Sequence, residues 1–383
     1  ACSNACTIQQ FDVEGQRTYW GDKCSDKFRS HARATKQPLI DDLFSAREEL
    51  LTNLELPAVS PDAPTVGIPR AMWTWQQQPF WRALLAGLGA RSVLSDETNK
   101  SIITAGQSAI VSEPCFPILV AHGHVDALLE SDCDAVLLPN ILSMETPWEH
   151  TESHLCPWHQ TLPFVARRSP QLAAGRERFL SPTVEFRRGE AFVARQLADE
   201  MLGHPLAKRL GWTKKQILRA TADAYRAQQQ FEATYRALGQ ASLDALDDAG
   251  APGIILLGRP YNIHDAGVNL SVARKLREHY GCNVLPIDAL ALDDVDIRDI
   301  NPNMFWDLGR KIVAAAKFVG ARENLHIIYV TNFKCGPDSF VKHYITTASQ
   351  KPFLSLQFDG HSNDAGMMTR CEAYLDSKGL LRE

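Results

Sequence analysis

The strongest hydrophobic pattern in the chain is a run of β-branched and aromatic residues at 327–331. Such a run is typical of a strand that is buried on both faces in a parallel sheet. Cys335 follows it, and the Gly-Pro-Asp after this cysteine suits a tight turn into a helix. The pattern therefore predicts Cys335 at the carboxyl end of a strand and the amino end of a helix. Ligands bind at that edge in open α/β sheets, and the helix dipole there favours a thiolate.

Other short apolar runs alternate with segments whose apolar residues recur at helical spacing. Strands and helices that alternate at this length indicate parallel sheets. We expect an α/β protein with two Rossmann-like or flavodoxin-like parallel-sheet domains and a helical connection. The additional predicted strands lie at residues 65–68, 92–94, 134–138, 254–257, 283–287 and 353–358.

The same pattern predicts the domain boundaries. Helical segments are predicted at residues 41–54, 99–108, 189–202, 213–238 and 305–319. We predict a cysteine-containing N-terminal segment with a helix at 1–56, a first α/β domain at 57–182, a helical connection at 183–250 and a second α/β domain at 251–383. Residues 139–164 show no element of their own, and their aromatic content predicts a functional rather than a disordered loop.

Composition narrows the class of protein. The 383 residues are 45% hydrophobic and 22% charged, which is ordinary for a globular protein, and the net charge is -5. This charge gives no indication of a nucleic-acid or membrane-surface partner. Since no apolar run is long enough to span a bilayer and no signal-peptide pattern is found, we expect a cytoplasmic protein.

Nine cysteines are too few for a disulfide scaffold, so they suggest metal binding or catalysis. Cys2, Cys6 and Cys24 lie in an N-terminal segment that is too short to make a core and would need a metal or a partner surface to order it. Three thiolates there suit either a structural zinc, with a fourth ligand such as His31, or three corners of an iron-sulfur cubane.

Three further cysteines, Cys115, Cys156 and Cys335, are far apart in sequence but share one predicted context, the carboxyl end of a strand or the entrance of a helix. Two facing α/β domains would bring them together, and three thiolates from separate loops fit a cubane whose fourth iron is free for another ligand. Zinc more often takes closely spaced cysteine pairs. The remaining cysteines lack this context and are predicted to be core or surface thiols: Cys133, Cys282 and Cys371.

The segment after the strand at 254–257 reads GRPYNIHDAGVN. Neither a dinucleotide-binding nor a P-loop glycine pattern follows this strand. The glycine-rich loop that binds phosphate groups in those two kinds of nucleotide site is therefore missing here. Its polar residues either line a pocket or form a structural loop: Arg259, Tyr261, Asn262, His264 and Asn269. His122 and His124 are two positions apart on a predicted helix and are expected to be core or capping residues.

Five motifs together resemble the 2-hydroxyacyl-CoA dehydratase and benzoyl-CoA reductase superfamily. The nearer resemblance is to the branch with double-cubane cluster proteins and the activase-associated domain of large fused proteins. In chain order the motifs are EPCFPILVAHGHV, CP with the later LPFV, GRPYN, NFKCGPDSF and DGHSNDAGMMTRCEAYLD. The resemblance implies that Cys115, Cys156 and Cys335 bind an iron-sulfur cluster, and that Cys2, Cys6 and Cys24 match the cysteine segment that precedes this domain in fused members.

The resemblance also implies an ATP-hydrolysing activator, a protein or domain that carries a 4Fe-4S cluster and delivers a low-potential electron. We therefore expect either a 4Fe-4S cubane or an 8Fe-9S double cubane as the cofactor, and a small molecule as the substrate. A homodimer is compatible with this function. The alternatives are a 2-hydroxyacyl-CoA dehydratase-like subunit, or a non-catalytic electron-transfer module of a larger ATP-driven reductase. The six cysteines would share one site, hold two cubanes, or divide between a cubane and a zinc.

Overall fold

A computed structural model describes residues 7, 9–13, 16–20, 37–148 and 151–381 of the chain. The fold is α/β, as the alternation of short apolar runs predicts. In these residues the strands are β1 Gln9–Val13, β2 Gln16–Trp20, β3 Thr65–Ile68, β4 Arg91–Leu94, β5 Ala135–Leu137, β6 Asn140–Ser143, β7 Phe179–Leu180, β8 Thr183–Glu185, β9 Gly253–Gly258, β10 Asn283–Pro286, β11 Leu325–Asn332 and β12 Leu354–Phe358.

The helices surround and connect these strands. Those of four or more residues are α1 Leu43–Thr52, α2 Thr74–Gly87, α3 Lys100–Ala109, α4 Phe116–Glu130, α5 Pro157–Ala166, α6 Glu190–Met201, α7 Pro205–Leu210, α8 Lys214–Asp248, α9 Pro260–Ile263, α10 Ala266–Asn269, α11 Val272–Tyr280, α12 Asp307–Gly320, α13 Gly336–Ser349 and α14 Asp364–Ser377, besides a 3-10 segment at Ala173–Arg178.

Two four-stranded sheets form the framework. The first has the order β4-β3-β5-β7 and the second β10-β9-β11-β12, and all neighbours in both sheets are parallel. In each sheet the first strand along the chain lies between the second and the third, which is the flavodoxin-like order. The switch points therefore lie between β3 and β5 and between β9 and β11. The smaller sheets are the antiparallel hairpin β1-β2 and the parallel pair β6-β8.

Helix α8 contributes side chains to the hydrophobic cores around both sheets. Thr213 caps it, because its side chain accepts from the amide of Gln216 while the Gln216 side chain accepts from the amide of Thr213. Ile217 belongs to the hydrophobic core around the first sheet, and Leu246 belongs to the core around the second. The helix thus links the two halves of the molecule, whereas the boundaries at residues 182 and 250 stay predictions.

The expectation that residues 139–164 lack regular structure is wrong. Strand β6 pairs with β8, and helix α5 begins at Pro157. A four-residue strand is too short to produce a clear alternation of apolar and polar side chains, and its partner lies about forty residues further along the chain. The segment therefore contains a strand and the start of a helix, and its strand pairs with residues that are distant in sequence.

Candidate functional site

The three sheet-edge cysteines have the same local geometry. Cys115, Cys156 and Cys335 each occupy the N-cap position of a helix, with extended backbone angles and a proline in the first turn. Proline is favoured there because the first-turn amide has no partner inside the helix. Each thiol therefore stands at the positive end of a helix of at least ten residues, namely α4, α5 or α13.

The backbone before Cys156 is joined to the second half of the molecule. The amide of His154 donates to the carbonyl of Phe305 over 2.9 Å, and the amide of Asp307 donates to the carbonyl of His154 over 3.0 Å. The amide of Met144, just after β6, also donates to the carbonyl of Ser153 over 3.0 Å. These bonds hold the entrance of α5 between the first-half strand β6 and the start of α12, and so set where Cys156 lies.

A second connection joins the turns that carry Cys115 and Cys335. Lys334 has a φ of 64°, a left-handed conformation that favours glycine, in the turn from β11 to α13. Its ammonium group lies 2.6 Å from a carboxylate oxygen of Glu113, two residues before Cys115. Both side chains are largely exposed, so the pair indicates proximity of the two turns rather than large stability.

The three thiols influence one another electrostatically. Burial raises the pKa of Cys115 to about 12, and the nearby Cys156 adds to this increase. Burial also raises the pKa of Cys335, with Asp338 and then Cys115 contributing in the same direction. Burial thus opposes the thiolate form that the helix dipole favours, and the expectation of thiolates at these positions stays a prediction. The mutual effects of Cys115 with Cys156 and with Cys335 indicate that the three side chains lie in the same region of the molecule.

A buried ion pair lies beside the thiols. Arg259, which follows β9, donates from Nε to a carboxylate oxygen of Asp338 over 2.6 Å, and the side chains are 2% and 1% exposed. The hydroxyl of Thr331 on β11 donates to the other oxygen of Asp338 over 2.5 Å. Burial opposes the charge of Arg259, but Asp338, Tyr261, Cys335 and Cys156 favour it and its pKa is raised. This pair occupies the β9–β11 switch point.

Several buried polar atoms around the cysteines have no hydrogen-bond partner among the described residues. They include Nη2 of Arg259 and both ring nitrogens of His159. Unpartnered buried polar atoms are rare and each requires an explanation. His159 is neutral, since burial and then Arg259 lower its pKa to about 3. These atoms concentrate donors and acceptors next to thiols that are themselves good metal ligands.

Three cysteines at separate helix entrances could each hold one iron of an iron-sulfur cluster. Within the described ranges, no group of three or more His, Cys, Asp and Glu side chains is placed to hold a metal ion. A cubane binds each thiolate at a different iron, so its ligands need not converge on one point. The unpartnered Nη2 of Arg259 would donate to an anionic group bound at the cysteines.

The other cysteines occupy different surroundings. Cys133 is buried just before β5 and accepts a hydrogen bond from the Ser131 hydroxyl over 3.1 Å. Cys282 and Cys371 are buried in the second core, where burial and then Cys282 raise the pKa of Cys371 to about 12. All three are core thiols, one of the two placements that the sequence predicts, and their exclusion from the site stays a prediction. The predicted ligands Cys2, Cys6, Cys24 and His31 lie outside the described residues.

The two histidines of α4 are core residues, as predicted. Nδ1 of His122 lies 2.8 Å from the carbonyl oxygen of Ile118, and the ring nitrogens of His124 lie 2.8 Å from Ser95 Oγ and 2.9 Å from Thr98 Oγ1. Among the GRPYN residues, Arg259 and Tyr261 lie beside the cysteines. Asn262 accepts from Nδ2 of Asn332 over 2.6 Å, and Asn269 donates to the carbonyls of Asn262 and Ile263.

Sequence reasoning did not identify His159 or the pairing of Arg259 with Asp338. His159 follows Cys156 in the run CPWH, which is a weak local signal of proximity. Arg259 and Asp338 are 79 positions apart, and neither position alone indicates that a charge is buried. Only the adjacency of β9 and β11 brings the two side chains together.

A cleft of about 370 Å³ adjoins this site. Its volume is in the range of small-molecule pockets. Phe116, the neighbour of Cys115, forms part of its wall, and the lining draws on both halves of the molecule, including Arg70, Lys100, His264, Asp265 and Lys275. Because basic, acidic and aromatic side chains are mixed in it, the cleft does not identify one class of ligand.

None of the helices in the described part of the chain is long and apolar enough to cross a membrane. No curated protein matches the sequence. Among solved structures, the crystal structure of ZnuA is similar over 84% of this chain and all of that chain, at 13% identity and a TM-score of 0.25, and this likeness supports no conclusion.

A family model does match. The model described as "CoA enzyme activase uncharacterised domain (DUF2229)" covers residues 65–290, more than half of the 383 residues. The match includes Cys115, Cys156 and Arg259, and ends before Cys335. It agrees with the activase-associated part of the resemblance, while the double-cubane branch stays a prediction. The chain therefore belongs to the CoA enzyme activase domain family.

Proposed function

We propose that this protein holds an iron-sulfur cluster on Cys115, Cys156 and Cys335 and receives low-potential electrons from an ATP-hydrolysing activator. The observation that carries the proposal is the repeated N-cap geometry of three mutually interacting thiols beside a buried guanidinium with an unpartnered nitrogen. Such a cluster, when bound, would accept and release single electrons. Membership in the CoA enzyme activase domain family supports an activator as the electron source.

The residues of the chain would have distinct roles in this function. The three cysteines would hold the cluster as thiolates, because binding to iron displaces the thiol protons. Cys115 and Cys156 are buried and Cys335 is half-buried, so water and oxidants would have limited access to the group from the side of the first two cysteines. The adjoining cleft would admit the small molecule that is reduced, since one of its walls is next to Cys115.

The test is the iron and acid-labile sulfide content of protein purified without oxygen. We expect a brown protein with both elements present, and loss of most iron in Cys335→Ala because one iron loses its thiolate. Cys133→Ala is the matched control, since Cys133 is a buried cysteine outside the site. It should keep its iron and lose only about 1 kcal/mol of stability. A colourless protein with stoichiometric zinc and no sulfide would contradict the proposal.

The same measurement on Cys6→Ala determines how the N-terminal cysteines are used. If all six thiolates meet at one double cubane, iron should approach roughly eight atoms per chain. Cys6→Ala and Cys335→Ala should then disturb the same magnetic-resonance signal. If Cys2, Cys6 and Cys24 form their own site, Cys6→Ala should remove one signal and leave the other. Zinc bound by the N-terminal segment would refute that part and leave the Cys335 site intact.

A further inference from the structure

We propose that Arg259, oriented by Asp338, is a positioning residue whose charge sets the reduction potential of the group held at Cys156 and Cys335. The inference rests on the proposed function and adds which side chains set the reduction potential of the site. It concerns neither ligation nor catalysis, because Arg259 has no lone pair to bind iron at any ordinary pH.

The geometry holds the guanidinium in one orientation. One carboxylate oxygen of Asp338 accepts from Arg259 Nε, and the other accepts from the hydroxyl of Thr331. The carboxylate is therefore held by β11, which carries Thr331, and by the turn after β9, which carries Arg259. The Nη2 atom of Arg259 is buried and has no partner among the described residues. A guanidinium fixed at one end and unpartnered at the other is prepared to donate to an anion.

The two charges act on the thiols with opposite sign. Asp338 lies in the first turn of α13, the helix that Cys335 caps, and Arg259 Nε is 2.6 Å from its carboxylate. The pair therefore brings one basic and one acidic side chain close to Cys335. A cluster gains a negative charge when it is reduced, so Arg259 should favour the reduced state and Asp338 should oppose it.

Another buried ion pair provides a structural comparison. Nζ of Lys275 lies 2.9 Å from a carboxylate oxygen of Asp364, and these side chains are 1% and 2% exposed. Neither residue is among the principal influences on the pKa of Cys115, Cys156 or Cys335. Removing a charge from this pair disturbs the second half of the molecule to a similar degree but leaves the charges at the thiols unchanged.

The experiment measures the one-electron midpoint potential of the anaerobic holoprotein by spectroscopic titration. Arg259→Gln should lower the potential and Asp338→Asn should raise it, each by about 59 mV, which is about tenfold in the equilibrium constant for reduction. Arg259→Lys keeps the charge and should lie between wild type and Arg259→Gln. Asp364→Asn should leave the potential unchanged. A purely structural role of Arg259 would not produce shifts of opposite sign.

Iron content is measured first in every variant. If Arg259→Gln fails to retain its cluster, Asp338→Asn and Arg259→Lys still test the direction of the effect. Unchanged potentials, or shifts in the same direction for Arg259 and Asp338 variants with full iron, would overturn this inference alone. A wild-type protein that binds no iron and sulfide would overturn the proposed function, and with it the inference.

Discussion

The two four-stranded sheets have the same strand order, yet the polar groups at their carboxyl edges differ in kind. Beyond β3 and β4 the backbone amide of Arg70 donates to Ser95 Oγ, and His124 connects Ser95 to Thr98 through neutral hydrogen bonds. Beyond β9 and β11 lies the charged pair of Arg259 and Asp338. The same topology therefore positions buried neutral hydrogen bonds beside the half-buried Arg70 at one edge and a fully buried ion pair at the other.

This difference shows what strand order does and does not determine. The flavodoxin-like order places a crevice at each switch point, whatever the side chains are. The charge lies in the half that contributes Cys335, while Cys115 and Cys156 come from segments on the first-half side. We infer that the first half supplies most of the thiols and the second half supplies the electrostatics. Three substitutions test this contrast.

The largest expected effect is on the charged edge. Asp338→Ala leaves the buried guanidinium of Arg259 without its counterion, so we expect the free energy of unfolding of the metal-free protein to fall by about 3–5 kcal/mol. Equilibrium denaturation in urea measures the change. Asp338→Asn keeps a hydrogen-bond acceptor for Arg259 and should lose less. Equal losses in the two variants would mean that packing, not charge, dominates at this edge.

The second prediction concerns the contact between the two edges. Thr98 donates to Asp265 over 2.7 Å, and burial raises the pKa of Asp265 to about 7 from an ordinary value of 3.8. The folded protein thus binds a proton at Asp265 more tightly than the unfolded chain does. Protonation of Asp265 therefore contributes fully to the free energy of unfolding below about pH 4, and this contribution is lost as the pH rises through 7. The contribution is on the order of 4 kcal/mol.

Asp265→Asn removes the titrating group and keeps an oxygen that can accept from the amides of Gly267 and Val268. The variant should therefore lose less stability than wild type between pH 4 and pH 7, as measured by urea denaturation at a series of pH values. Parallel curves for the two proteins would show that Asp265 titrates at its ordinary pKa.

The smallest expected effect is on the neutral edge. Thr98→Val removes the hydroxyl that lies between His124 and Asp265, and leaves buried polar groups without a partner. We expect a loss of about 1–3 kcal/mol in the free energy of unfolding. Thr98→Ser restores the hydroxyl and should recover most of that loss. A Thr98→Val loss as large as that of Asp338→Ala would remove the distinction between the two edges.

Sequence patterns located most elements that support the site. The apolar run at 327–331 and the Gly-Pro-Asp after Cys335 correctly placed β11 and the start of α13. The long loop prediction failed because β6 and β8 are short and pair across a distance in sequence. The depth of burial of the cysteines at the helix entrances could not be inferred from an N-cap position.

What the sequence alone determined is local. It specifies which residues are apolar enough to form buried strands, and where proline and a cysteine coincide at the entrance of a helix, because both features depend on a few neighbouring residues. Only the tertiary structure decided which of these places meet. Arg259 pairs with Asp338 because β9 lies beside β11, and Cys156 reaches the site because His154 bonds the backbone at Phe305 and Asp307. Desolvation and charge–charge interaction depend on distance in space, so neither can be deduced from spacing along the chain.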